Sequence, residues 1–265
     1  MPDLITSRQN ETIRHAARLS SSADYRREQG LFAVEGARLC GDAAKSGVTI
    51  KILFFTAQAN EKYGDYIDDI QAIAEQTYEV EPHVATLLSE TKSPQGVFCI
   101  CKTMDGALGL SGVKSELHYL ALENIQDPAN LGAVLRTAEA LGIGGVILAG
   151  GCCDIYSPKV LRASMGAIFR LPFFLADNMA AAAKQLNELG FATLAAVPGA
   201  DAAQVTAVNF HKPTVMVIGN EGNGLTEEAI TACTGKVTIP MLGRAESLNA
   251  SASAAILMWE MMRSK

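Results

Sequence analysis

Six cysteines occur in the 265-residue chain (Cys40, Cys99, Cys101, Cys152, Cys153 and Cys233), yet none belongs to a Cys-x-x-Cys pair. The four histidines, His15, His83, His118 and His211, lie far apart. This spacing speaks against a zinc site, and the thiols read as buried and reduced in a cytosol. Long hydrophobic runs are also missing. The longest uncharged apolar stretch, ALGIGGVILAGGCC, is too short for a membrane span and carries five glycines. The first residues, MPDLITSRQNETIRH, lack the apolar core of a signal peptide. A cytoplasmic protein with no membrane and no metal is the expectation. Cations are in short supply: 22 Lys and Arg stand against 28 Asp and Glu, giving a net charge of −6. That balance counts against nucleic-acid binding by overall charge, although a local patch can outweigh it. The nucleotide fingerprints are absent too. GNEGNG reads G-x-x-G-x-G rather than G-x-G-x-x-G, and neither a P-loop nor a G-x-S-x-G elbow occurs.

What is present is an alternation of strands and helices. With 49% hydrophobic and 19% charged residues, the chain can bury a sizeable core, as one large domain or two small ones. The segment TSRQNETIRHAARLSSSADYRREQG predicts a polar helix and a turn. Its arginines, Arg8, Arg14, Arg18, Arg26 and Arg27, face only Glu11 and Asp24. A solvated helix and an RNA-facing patch both fit that pattern. LFAVEG, IKILFFT, TYEVEP and GVFCICK read as strands. ARLCGDAAKSG reads as a helix, as does YGDYIDDIQAIAEQ, with Ile67, Ile70 and Ile73 at near-helical spacing. Residues 1–104 thus form a small α/β unit, and the Gly-rich, polar stretch within residues 105–116 reads as a linker. In residues 117–265 the strands are HYLALE, GGVILAG, LPFFLA, FATLAAV, PTVMVIG and KVTIP. Short apolar runs between helices indicate a parallel sheet covered on both faces, so the fold class is α/β.

Open parallel sheets bind ligands beyond the C-terminal ends of their strands. Three loops stand out there. In NIQDPANLGAVLRTAEALG, a helix starts near Asn130 as N-cap, with Leu131, Val134, Leu135, Ala138 and Leu141 as its buried stripe. Arg136 lies off the stripe, one turn after Gly132, and helical side chains lean back over the residue four before. The spacing fits a guanidinium reaching a site, and equally an exposed arginine on an ordinary helix. In VIGNEGNGLTEEAI a strand runs into small and polar residues, with Glu221 at the strand end and a helix capped near Thr226. Close backbone approach to a ligand and a tight turn with a solvated glutamate are both open. In IPMLGRAESLNASASAAILMWEM a strand ends at Pro240, and Ser247 caps a helix rich in Ala and Ser, with Asn249 nearby. Close approach of threaded backbone and packing at an oligomer interface both suit that helix.

Taken in order, NLGAVLR, IGNEGNGL and IPMLGRAESLNASASAAI resemble the three motifs of the SpoU (TrmH-like) RNA ribose methyltransferases, over residues 118 to 265. SPKVLRASMGAIFRLP between them also resembles that family, and FAVEGARLCGDAA resembles its small substrate-binding α/β domain. The resemblance implies a C-terminal SPOUT domain with a deep trefoil knot, a homodimer and S-adenosyl-L-methionine as cofactor. Gly219, Ile239 and Leu248 would line the cofactor site, with Asn220 and Met241 beside them. Arg136, Glu221, Ser247, Asn249 and Asn130 would surround the reacting hydroxyl, the arginine acting across the dimer. The implied activity is methylation of a ribose 2′-hydroxyl in RNA: ribosomal RNA, guanosine being one candidate nucleotide, with transfer RNA as the alternative. A non-catalytic RNA-binding protein, a base methyltransferase and a nicotinamide enzyme are the competing readings. Retention of Arg136, Glu221 and Asn249, the N-x-G-x-x-x-R motif and the missing dinucleotide fingerprint weigh against them in turn.

Overall fold

The computed structural model describes residues 2–91, 93–104, 109–199, 201–220, 222–245 and 247–263. The first part of the chain runs β1 (Asp3–Ile5), α1 (Glu11–Ser21), α2 (Ala23–Gln29), β2 (Leu31–Glu35), α3 (Ala37–Lys45), β3 (Ile50–Phe55), α4 (Ala57–Gln71), β4 (Gln76–Val80), α5 (Pro82–Leu88) and β5 (Val97–Lys102). Next come β6 (Tyr119–Glu123), α6 (Pro128–Ala140), β7 (Val146–Ala149), α7 (Pro158–Ser164), β8 (Phe173–Ala176) and α8 (Met179–Glu188). The chain ends with β9 (Ala192–Ala196), β10 (Ala203–Gln204), β11 (Thr214–Ile218), α9 (Glu227–Ala232), β12 (Gly235–Thr238) and α10 (Ala250–Arg263). Two compact units result. One holds residues 1–104 together with Asp154–Phe169; the other holds 105–153 and 170–265. The segment Asp154–Phe169 therefore clusters with the first unit, although the sequence places it inside the second.

The first unit is a five-stranded sheet in the order β1-β4-β3-β5-β2, in which β5 runs antiparallel to both β3 and β2. Its amino-terminal helices are less polar in effect than in composition. In α1 every third residue, Ile13, Ala16 and Leu19, is buried, because that spacing makes one stripe. Arg26 in α2 is 4% exposed and pairs with Asp154 at 2.6 Å, while its Nη1 donates to the Leu19 and Ser20 carbonyls. It is an internal tie, which corrects the reading of five arginines as one solvated or RNA-facing group. Arg8 donates to the His83 carbonyl, Arg18 lies over the Tyr25 ring and Arg27 pairs with Asp24, and these three are exposed, as is Arg14. Helix α4 begins earlier than its isoleucine spacing suggests, because Thr56 caps it, and it stops at Gln71, so Ile73 falls outside and is half exposed.

The second unit is a seven-stranded sheet, parallel throughout, in the order β10-β12-β9-β11-β6-β7-β8. All six strands read from the sequence are present; the two-residue edge strand β10 is additional. Each residue of β6, β7 and β11 is buried, as strands covered on both faces must be. Leu110, in a short turn within the presumed linker, also joins this core. After β6 the chain proceeds outward to β7 and β8, whereas β11 pairs on the other side of β6. The sheet therefore has its switch point between β6 and β11.

Two helix starts differ from expectation. Asp127, rather than Asn130, is the N-cap of α6: its carboxylate accepts from the Ala129 amide and Pro128 occupies the first turn, where a missing N–H costs nothing. Asn130 lies inside the helix and is buried. At α10 the cap is Asn249, whose Oδ1 accepts from the Ser251 and Ala252 amides at 2.9 and 3.4 Å, and Ser247 is an exposed residue two positions earlier. Asparagine's longer side chain reaches both orphan amides from the position where the backbone turns helical.

Candidate active site

A cavity of about 870 Å³ opens beyond the C-terminal ends of β9, β11 and β12 in the second unit. Gly219, Asn220, Ile239, Met241, Ser247 and Leu248 all line it, so the two later loops converge as the sequence suggests. Arg136, Asn130 and Asn249 are not among its lining residues. Glu221 lies outside the described residues. Among the described lining residues only Glu227 is charged; the rest is strand-end backbone, small side chains and aliphatic surface. The volume suits a drug- or nucleoside-sized ligand. The lining combines strand-end backbone with aliphatic side chains and one carboxylate, Glu227, so the residues present fit the purine, ribose and sulfonium-bearing chain of S-adenosylmethionine.

The loop after β11 is built around glycine and asparagine. Asn220 and Gly224 exchange two backbone hydrogen bonds, N to O at 3.1 Å and 2.9 Å, closing a tight turn. The Asn220 Oδ1 accepts from the Gly222 and Asn223 amides at 2.8 and 3.2 Å, and its Nδ2 donates to the Asn124 carbonyl at 3.0 Å. The Asn220 amide is thereby committed to shaping the loop rather than to a ligand. Gly219 is needed for the same reason. A Cβ there would lie 2.2 Å from the Gly224 carbonyl carbon and 2.4 Å from the Leu225 nitrogen, both backbone atoms. The turn itself, not only the cavity, forbids a side chain at 219.

The first and third loops meet through side chains. Asn249 Nδ2 donates to Asn130 Oδ1 at 3.0 Å, so the cap of α10 also holds the start of α6. This one bond brings together two of the residues expected near the reacting hydroxyl. Arg136 sits farther along α6 and is exposed. Gly132, one turn before it, is buried. The expected stripe is otherwise present, except that Leu141 is half-buried beyond the helix end.

Sequence reasoning missed Glu123 and Thr226 as a pair. Glu123 ends β6 with 4% exposure, and its carboxylate accepts from the Thr226 amide at 2.8 Å and the Thr226 hydroxyl at 3.0 Å. The signal was available: a carboxylate closing an otherwise apolar, fully buried strand needs a partner. Cys152 lies beside it. Burial pushes that thiol above its ordinary value, backbone hydrogen bonds near Ile125, Ala149 and Asn124 oppose the rise, and the nearby Glu123 charge adds to it. Among the described residues no group of three or more His, Cys, Asp or Glu could hold a metal ion. Among them, too, no helix is long and apolar enough to cross a membrane.

An all-parallel sheet with a backbone-lined cavity at its strand ends defines an α/β domain built to hold a nucleoside-sized cofactor. Residues 118–259 match the family model of the SpoU rRNA Methylase family, and residues 10–99 match that of the MRM3-like substrate binding domain. The chain belongs to the SpoU rRNA methylase family. It is 32% identical to an uncharacterized tRNA/rRNA methyltransferase of Synechocystis, over 98% of this chain and 93% of that one. It is 28% identical to the 23S rRNA (uridine(2479)-2′-O)-methyltransferase of Streptomyces viridochromogenes, over 98% and 92% of the two chains. The solved structure of an AdoMet-bound rRNA methyltransferase from Sinorhizobium meliloti is similar with a TM-score of 0.88 at 28% identity, covering 98% of this chain and 97% of that one.

Proposed function

We propose that this protein is a cytoplasmic S-adenosylmethionine-dependent methyltransferase that modifies a ribose 2′-hydroxyl of ribosomal RNA. The observation that carries the reading is the cavity, whose wall contains Gly219, Asn220, Ile239, Met241, Ser247 and Leu248, drawn from two separate motifs. Two relatives similar over nearly the whole chain are named 23S rRNA 2′-O-methyltransferases, which supports ribosomal RNA over transfer RNA, and the match of residues 10–99 to a substrate binding domain supports a bound substrate. The deep trefoil knot belongs to the same reading.

When bound, S-adenosylmethionine would supply an electrophilic methyl group. Gly219, Ile239 and Leu248 would hold it, the backbone of the Asn220 turn and Met241 edging the same space. Ser247, Asn249 and Asn130 line the approach of the ribose. Arg136 acts as a donor. A guanidinium keeps its protons at any working pH, so its contribution is to grip a phosphate and stabilise the developing alkoxide rather than to accept a proton. Glu221 belongs to the same set in this reading. Arg136 is exposed and absent from the cavity wall of its own chain, which supports a homodimer in which it completes the site of a second copy. The exposed Trp259 and Ile256 on α10 offer that copy an apolar surface.

Calorimetric titration of chelator-treated protein tests the reading. S-adenosylmethionine is expected to bind and NAD is not. Absence of S-adenosylmethionine binding, or its loss on chelation, overturns it.

A further inference from the structure

We propose that Glu123 is a positioning residue that fastens the cavity-forming loop to the end of β6 and so sets cofactor affinity. The inference rests on the proposed methyltransferase reading for the meaning of the cavity, but its geometry stands apart from it.

The loop 220–226 is pinned at both ends by two adjacent residues. At its start Asn220 Nδ2 donates to the Asn124 carbonyl, and at its end Thr226 donates twice to the Glu123 carboxylate. The direction of the second contact is fixed. Thr226 Oγ1 accepts from the Ala229 amide as N-cap of α9, so its own proton is free to go to Glu123. Glu123 therefore ties three things at once: the last residue of β6, the exit of the loop and the entry of α9. Asn124 adopts the left-handed conformation, with φ of 58°, which turns the chain away after the carboxylate.

The loop after β7 is shaped around this clamp. Gly150 and Gly151 have φ of 64° and 82°. A Cβ at Gly150 would come within 3.2 Å of Glu123 Cγ, and one at Gly151 within 3.2 Å of Asn124 Oδ1. The paired glycines of LAGGCC thus leave room for the Glu123 and Asn124 side chains, which gives a role to a motif the cofactor site does not absorb. Glu123 ends β6, the strand paired with β11, and the loop after β11 lines the cavity. Asn249 then links the start of α6 to the third loop.

Three variants of the full chain separate this from a merely structural role. Glu123→Ala removes both acceptors, Glu123→Gln keeps the shape and one acceptor, and Thr226→Val keeps the amide but loses the hydroxyl. Without cofactor, amide exchange across residues 220–229 is expected to accelerate in Glu123→Ala, with Glu123→Gln intermediate. In calorimetry the S-adenosylmethionine Kd is expected to rise about tenfold in Glu123→Ala, in line with loss of hydrogen bonds to a charged group, and to recover in part in Glu123→Gln. Should Glu123→Ala not fold, Thr226→Val and Glu123→Gln are measured in its place, and each is expected to show a smaller change of the same sign. Unchanged exchange in the folded variants overturns the proposal, as does faster exchange with an unaltered Kd and only a lower melting temperature. Failure of the wild-type protein to bind S-adenosylmethionine would instead refute the methyltransferase reading, and amide exchange alone would then decide whether the clamp exists.

Discussion

Gly219→Ala isolates the turn that forms the cavity wall. The added methyl would sit 2.2 Å, 2.3 Å and 2.4 Å from the Gly224 carbon, the Gly224 oxygen and the Leu225 nitrogen. Ordinary contact needs about 3.5 Å or more, so backbone must move by about 1 Å. No flexible side chain is available to give way. The displaced backbone is held by the Asn220–Gly224 pair and by the Asn124 and Glu123 contacts, so the shift strains several hydrogen bonds together. Overpacking of this kind costs about 1–3 kcal/mol. At roughly 3 °C per kcal/mol for a unit of this size, the melting temperature should fall by about 3–9 °C. The functional loss should be larger, because a misplacement of about 1 Å costs on the order of a hundredfold in rate. Scanning calorimetry gives the first quantity, and initial rates with saturating RNA give the second. Gly243→Ala is the control, since a Cβ there has no neighbour within 4 Å although it lies in the third loop. Wild-type rate and melting temperature in Gly219→Ala, or equal damage in Gly243→Ala, would refute the reasoning.

Arg136→Ala should leave stability unchanged, since the residue is exposed on α6, and lower the rate about a hundred- to a thousandfold, as loss of one transition-state donor does. Arg136→Lys should not rescue, and single-turnover rates check both. Asn249→Ala should cost about 1 kcal/mol as a lost helix cap, read by urea unfolding. Asn249→Asp should restore the cap but not activity, because it cannot donate to Asn130. Arg26→Ala should cost about 3–5 kcal/mol by stranding the Asp154 carboxylate, whereas Arg14→Ala should change stability by no more than about 0.5 kcal/mol. Burial raises the Cys152 thiol and pushes Cys233 to about 11, so the unreactive thiol persists in both until the pH climbs towards those raised values. Iodoacetamide at pH 8 should therefore label them slowly, as followed by mass spectrometry, and fast labelling would contradict the packing.

The fold of the second unit was largely legible because both of its sheet faces are covered. YLAL, VILA and VMVI are apolar and buried throughout, and such runs leave little choice of element. The short edges were not legible: β1 and β10 hold three and two residues and carry no pattern. Helix starts were misplaced where two capping residues compete within a turn, Asp127 against Asn130 and Asn249 against Ser247. Which one caps depends on where the backbone turns helical. Gly219, Ile239 and Leu248 were assigned to the cofactor site by the family resemblance, which gave Gly219 a ligand-facing reason where the nearest atoms belong to its own loop. The arginines of the first unit show the limit most clearly. Nothing local distinguishes Arg26 from Arg27; only Asp154, 128 residues away, makes the first an internal tie and leaves the second on the surface.

Nucleoside mass spectrometry of ribosomal RNA incubated with the purified protein and methyl-labelled S-adenosylmethionine tests the central claim most directly. The account requires label in a single 2′-O-methylated nucleoside, lost with Arg136→Ala and with Gly219→Ala but kept after chelation. Label in a base methyl group, or no label in RNA from cells that lack the protein, would contradict it.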